Sequence, residues 1–156
     1  MKNLIESLLR EAGLEYEYAT AGHGKHSYYF SGNFEEFSAT LALTLNERDG
    51  YLFFYMIYPY DIPEDKIIPV SEYINRINYG DVFGAFVIDY VDFSVGYHLA
   101  IPFGLNMNEN ERWFTEYLVH GQEVMKEFHE GLLEVVDGHD PFEVLKEMGA
   151  VVTQIN

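Results

Sequence analysis

The sequence predicts one α+β domain, an antiparallel sheet of about five to six strands with helices on one face, in the order α-βββ-α-ββ-α. Three observations carry that expectation. Phe37, Ala39, Leu41, Leu43 and Leu45 alternate with small or polar residues and lead to Asp49-Gly50, a pair that favours a tight hairpin turn. Residues 93–101 alternate in the same way behind a second turn. From Phe114 to Val135, apolar residues recur at steps of four and three, the seam of one long helix.

The elements follow in order. Leu4, Ile5, Leu8, Leu9 and Ala12 make one apolar face of a helix over 3–12, and Gly13 stands where such a helix stops. Leu14, Tyr16 and Tyr18 alternate with Glu15 and Glu17, the period of a half-buried strand. Gly22-His23-Gly24-Lys25 reads as a turn, and residues 26–30 as a short strand before a loop at Gly32-Asn33. The first hairpin takes up 37–58, and its return strand, 51–58, is apolar on both faces. Pro63-Glu64-Asp65 opens a helical region, with acids near its positive end. Val70, Tyr73, Ile74 and Ile77 form its stripe, Gly80 ends it, and Pro69 either begins the regular helix or kinks a longer one.

Residues 82–90 and 93–101 make the second hairpin, with Phe93, Val95, Tyr97, Leu99 and Ile101 inward. The long helix begins at Asn108-Glu109 and runs to about Val136. Phe114, Leu118, Gly121, Met125, Phe128, Leu132 and Val135 form its seam. Asp140 as N-cap, Pro141 behind it and Gly149 frame a short last helix, with Phe142, Leu145 and Met148 inward. No linker or repeat divides the chain, so residues 1–156 form one domain, with 138–156 as a C-terminal extension.

Composition narrows the function. A chain of 156 residues with 48% hydrophobic and 17% aromatic residues can bury its own core. It has no cysteine, which excludes disulfides, thiolate metal sites and cysteine nucleophiles and fits a cytoplasmic location. Met1–Ser7 lacks the pattern of a secretory signal, and no apolar run is long enough to span a bilayer. Twenty-six acidic against nine basic residues give a net charge of −17, which argues against nucleic acid and anionic membranes as partners. Duplex DNA affinity at physiological salt is expected to be negligible; a gel shift saturating at submicromolar protein would contradict this.

Chemical motifs are sparse. Ala19–His26 has part of the pattern of a phosphate loop, but its first Gly is missing and His26 stands where Ser or Thr must hold Mg²⁺. His23 and His26 are candidate metal ligands, as are Glu116, His120 and Glu123 on one face of the long helix. That helical set lies off the inward seam, so a solvated polar face accounts for it. His120 and His129 stand nine residues apart, on opposite sides of the helix. A serine nucleophile elbow is absent. The expectation is a non-enzymatic protein with no catalytic residue, no metal and no cofactor.

Asn78-Tyr79-Gly80-Asp81-Val82-Phe83-Gly84-Ala85-Phe86-Val87-Ile88-Asp89 resembles the signature of the YbjN-like family of bacterial sensory-transduction regulators. There, a helix ending in an Asn-Tyr-like pair is followed by a Gly-x-Phe-x-x-Asp strand. The likeness covers residues 62–137 well and the N-terminal part more loosely; 22–36 and 138–156 depart from it. It implies a fold like that of type III secretion chaperones and a regulatory domain that dimerises or grips an extended partner. It implies no catalytic residues. Two other readings stand beside it: an acidic inhibitor or immunity-type protein masking a basic target, and an enzyme with a dispersed site.

The residues also point to a surface. A two-residue Asp49-Gly50 turn sets Arg48 opposite Tyr51, Leu45 opposite Phe54, Leu43 opposite Met56 and Leu41 opposite Tyr58, all toward the core except the first pair. On the reverse face Asn46 then meets Phe53, Thr44 meets Tyr55 and Ala42 meets Ile57. Phe53, Tyr55 and Ile57 are thus expected to form an exposed interface with a protein partner or a second copy. Cover by the N-terminal helix or by 138–156 is the alternative.

Overall fold

The computed structural model describes residues 1–33, 38–80, 83–102 and 112–150. Phe37, Asp81, Val82, Asn108 and Glu109, used above, lie outside the described residues. The chain begins with α1 (Lys2–Glu11), followed by four consecutive strands, β1 (Glu17–Gly22), β2 (Lys25–Asn33), β3 (Ser38–Asn46) and β4 (Tyr51–Asp61). A 3₁₀ turn, Glu64–Lys66, leads into α2 (Ile67–Tyr79). The second hairpin is β5 (Ala85–Ile88) and β6 (Ser94–Pro102), and α3 (Arg112–Asp137) and α4 (Pro141–Glu147) complete the order.

The strands form one six-stranded sheet in the order β1-β2-β3-β4-β6-β5, with every pairing antiparallel. The expected α+β class and strand number hold. The meander has four strands rather than three, because β1 pairs with residues 25–29 of β2, and β2 pairs with β3 from end to end.

The helices share one side of the sheet. Phe54 lies 5.5 Å from the Phe114 ring of α3, and the Tyr58 hydroxyl donates to the Met125 carbonyl at 2.7 Å. Tyr73 of α2 donates to the Phe128 carbonyl at 3.0 Å, which ties the two long helices together. On α1, Ile5 and Leu9 are fully buried in the same core as Tyr28 and Leu43. Pro69 falls at the third position of α2, in the first turn, where no intrahelical partner awaits its missing N–H. It therefore kinks nothing.

The β3–β4 hairpin corrects the expected register. Asn46 pairs with Tyr51, Leu45 with Leu52, Leu43 with Phe54 and Leu41 with Met56; Thr44 meets Phe53, Ala42 meets Tyr55 and Thr40 meets Ile57. The loop holds four residues, 47–50, instead of two. Asn46 sets its length. The Asn46 side-chain oxygen accepts the Asp49 N–H at 3.1 Å, its amide donates to the Asp49 carboxylate at 2.9 Å, and its backbone carbonyl accepts the Gly50 N–H at 3.0 Å. Gly50 closes the loop at φ +75°, where a side chain would be strained. The slip is by two residues, an even number, so every side chain keeps its expected face.

Smaller differences have equally local causes. Phe93 sits at φ +60° in the turn before β6, half-buried, instead of opening the strand. In α4 the buried set is Pro141, Val144 and Leu145; Met148 lies at the helix end and is exposed. Asp140 caps α4 as expected, accepting from the Phe142 and Glu143 N–H groups at 3.0 and 3.1 Å. Asp140→Ala is expected to cost about 1 kcal/mol, read as a shift of the urea midpoint with unchanged slope.

Buried tyrosines give the fold a pH limit. Burial pushes Tyr97 up to about 12, and burial raises Tyr28, Tyr58, Tyr60 and Tyr73 as well. A phenol whose folded value exceeds its unfolded one stabilises the fold fully below the unfolded value, and that stability is lost as pH climbs through the folded value. Stability should therefore hold up to about pH 10 and fall steeply toward pH 12. A spectrophotometric titration in which these phenols ionise before the circular dichroism changes would contradict this.

Candidate protein-binding face

The sheet's other side carries no helix among the described residues: α1, α2 and α3 pack on the first side, and α4 packs on α2 and α3. An antiparallel sheet can leave one face to water, and then its outward residues are polar. β3 keeps close to that rule, with Thr40 and Thr44 outward on either side of the small Ala42. β4 breaks it. Between its buried Leu52, Phe54, Met56 and Tyr58, the outward residues are Phe53, Tyr55 and Ile57, all half-buried.

Cross-strand pairing extends the patch. Tyr29 lies opposite Ala42 on β2 and is 42% exposed, as is Tyr51 at the start of β4. On β6, Gly96 lies opposite Ile57, His98 opposite Tyr55 and Ala100 opposite Phe53. A Cβ on Gly96 would come within 3.1 Å of the Tyr55 ring, so the glycine lets that ring lie across the sheet. The His98 imidazole stacks on Phe53, with centroids 5.3 Å apart at 15°, and meets Tyr55 edge-on at 6.3 Å. Burial lowers the His98 pKa below the ordinary imidazole value.

The face is also free of charge at its centre. Of the outward positions of β2, β3, β4 and β6 within the paired region 27–31, 40–44, 53–57 and 96–100, none is Asp or Glu. The acids stand at the margins: Glu17 on β1, and Asp89 and Asp92 at the β5–β6 turn, whose charge helps to raise the Tyr55 phenol behind the larger effect of burial. In a chain with 26 acidic residues, that gap is a local feature of the face.

Phe53, Tyr55 and Ile57 thus share the face on which the sequence set them. His98 and Gly96 were missed. Both sit in the outward phase of the 93–101 alternation, and a glycine within a strand is the signal that a large neighbour lies across it.

The other candidates disperse. Residues 19–26 form the β1–β2 hairpin, with no helix after them to complete a phosphate cradle. His23 is exposed at the hairpin tip, whereas His26 accepts or donates at 2.7 Å with the Tyr18 hydroxyl and lies 3.8 Å from Glu47. His120 does not belong to a solvated polar face. It is half-buried, 3.3 Å from the Tyr97 hydroxyl and 3.2 Å from the Phe83 carbonyl, while Glu116 turns out to Arg112 at 3.3 Å. His129 is buried beside Tyr58 and Tyr60. Among the described residues, no three His, Asp or Glu side chains are grouped to hold a metal ion. A cleft of about 290 Å³ beside α3 is rimmed by the exposed Glu127, Glu130 and Glu134 over Phe128 and Met148. No helix among the described residues is long and apolar enough to cross a membrane.

The signature segment is structural throughout its described part. The Asn78 side chain donates to the Phe86 carbonyl at 2.9 Å and accepts the Phe86 N–H at 2.8 Å, taking the place of a neighbouring strand along the outer edge of β5. Gly84 lies beneath Tyr97, whose hydroxyl donates to the Phe83 carbonyl. The Asp89 carboxylate accepts the Val91 N–H at 2.8 Å and shapes the β5–β6 turn.

An α+β domain with its helices on one side of the sheet, an aromatic opposite face that no helix covers among the described residues, and a clamped edge strand is the class of protein that these features define. The chain belongs to the YbjN family: the family model described as "Putative bacterial sensory transduction regulator" matches residues 2–130, which bears out the resemblance at Asn78–Asp89. A search of curated proteins finds no match. Among solved structures, the chain is similar to one in the "Structure of the HopA1-SchA Chaperone-Effector Complex", with TM-score 0.49 and 15% identity, covering 83% of this chain and 92% of that one.

Proposed function

We propose that this protein is a non-enzymatic regulatory module that works by protein binding, and that its open sheet face docks a second copy of the chain. The observation that carries the reading is the patch of Phe53, Tyr55, Ile57 and His98, apolar and free of carboxylates in a chain of net charge −17. A basic target would be drawn to the acids elsewhere, whereas a face without carboxylates at its centre meets its own copy without local like-charge contact, the repulsion between the two chains being left to the margins and the far sides. Membership of a family described as sensory transduction regulators supports the regulatory part.

Area sets the strength. Seven residues at about 3.4 Å each on β2, β3, β4 and β6, plus the four residues of β5, with strands about 4.8 Å apart, give about 520 Å² per copy, or roughly 1,000 Å² for a pair. Stable specific interfaces bury about 1,200–2,000 Å², so the expected dimer is of modest affinity and concentration-dependent. Two such faces would stack about 10 Å apart as a sandwich.

The test is Phe53→Asp combined with Tyr55→Arg, read by light scattering and circular dichroism. A wild-type dimer that becomes a folded monomer supports the reading. Global unfolding of the variant would place these residues in the core, and a wild type that stays monomeric at high concentration would contradict self-docking.

A further inference from the structure

We infer that His98 makes the docking of the two open faces proton-sensitive, so that the pair forms with a neutral imidazole and comes apart when His98 is protonated. The inference rests on the docking reading above. His98 stands at the centre of the face, opposite Tyr55 on β4 and Ala85 on β5, with Gly96 and Ala100 as its outward neighbours on β6. Stacked on Phe53, it keeps part of its ring in water in the single chain.

Among the described residues, the groups around it offer a cation no partner. Tyr55 is the titratable group facing it from β4, and it is a phenol held neutral. From β5, Ala85 and Val87 carry no charge, and the nearby acids Asp89 and Asp92 act on Tyr55 from the turn. In the free chain, water solvates a protonated His98. Docking removes that water and supplies only the partner's equally uncharged face, and a cation buried without a counter-charge is costly. The attraction between an imidazolium and the Phe53 ring exists in both states and strengthens on desolvation, but it offsets only a small part of the cost of burying the charge.

A two-fold pair contains two His98 rings, so each dissociation in acid takes up as many as two protons. By linkage the dissociation constant then rises up to about 100-fold per pH unit below the free chain's His98 pKa, and is flat above it. General electrostatics push the other way, because partial protonation of the carboxylates reduces repulsion between two copies of charge −17. The two causes are therefore separable by sign.

The experiment is sedimentation velocity of the full chain over a concentration series at about pH 7.5 and about pH 5, the lower value set below the range of an ordinary imidazole because burial holds His98 under it. Circular dichroism at both values checks the fold. Wild type is expected to lose affinity at least about tenfold in acid, and His98→Gln to dimerise equally at both values or slightly better in acid. If His98→Gln does not fold, His98→Asn takes its place. A dimer equally tight at both pH values overturns the inference and leaves the docking reading intact, as does an acid-sensitive dimer in the His98 variant. A chain monomeric at about pH 7.5 overturns both.

Discussion

Gly84→Ala is expected to lower stability by about 3–4 kcal/mol, enough to leave a domain of ordinary stability largely unfolded on modest warming. Two effects add. Gly84 holds φ +122°, a conformation that costs an L residue of order 1–3 kcal/mol. A Cβ there would also lie 2.6 Å from the Tyr97 ring carbon that carries the hydroxyl and 2.8 Å from the His98 carbonyl. The ring can give way, but only by pulling the Tyr97 hydroxyl from the Phe83 carbonyl and loosening its contact with His120. The His98 carbonyl belongs to the middle of β6 and cannot move without its strand. Urea unfolding with unchanged slope and a lowered midpoint is the expected readout, and a change under about 1 kcal/mol would mean that the backbone here is freer than its dihedral indicates.

Asn78→Ala should cost about 2–3 kcal/mol for a different reason. The Asn78 amide satisfies both the N–H and the C=O of Phe86, a residue only 3% exposed, and each such group left without a partner costs about 1–3 kcal/mol, reduced where water can enter. Asn78→Asp separates the halves, because a carboxylate still accepts the N–H but repels the carbonyl. It should be no better than alanine. Recovery of wild-type stability in Asn78→Asp would show that the C=O contact contributes nothing. Loss of the amide would also expose a stretch of strand edge to pairing with other chains, so the alanine variant should aggregate on partial unfolding.

Both residues lie in the segment that resembles the family signature, and their roles explain why the segment is legible as sequence. Backbone-driven positions leave a local mark: a glycine where a ring crosses, an amide where a helix meets a strand end. The faces of β3 and β4 were legible for a similar reason, since alternation fixes which side a residue takes whatever the register. The register itself was not. Asp49-Gly50 favours a two-residue turn by local preference, but the Asn46 side chain recruits the Asp49 N–H and carboxylate and widens the loop to four residues. That competition between side chain and backbone is invisible to a dipeptide rule.

His98 escaped for a deeper reason. Its neighbours Phe53 and Tyr55 lie far away in sequence and meet it only because β6 inserts between β4 and β5. His120 and Glu116 show the converse. They are close in sequence and share a helix face by spacing, yet the residue nearer the sheet turns to Tyr97 and Phe83 while the other stays in water. Alternation finds faces; it does not find what the sheet order brings together on them.

The central claim is that the sheet face opposite the helices pairs with its own copy, and the absence of cysteine allows a direct measurement. Single cysteines placed at Thr44, Ala42 and Ala100 lie on that face, whereas one at Glu127 lies on α3 across the sheet. A disulfide requires the two Cα atoms to approach within about 7 Å, so only a cysteine near the two-fold axis crosslinks rapidly. Under mild oxidation of dilute protein, at least one face variant should form a covalent dimer in high yield while Glu127→Cys does not. Equal, slow crosslinking of all four variants would contradict the account.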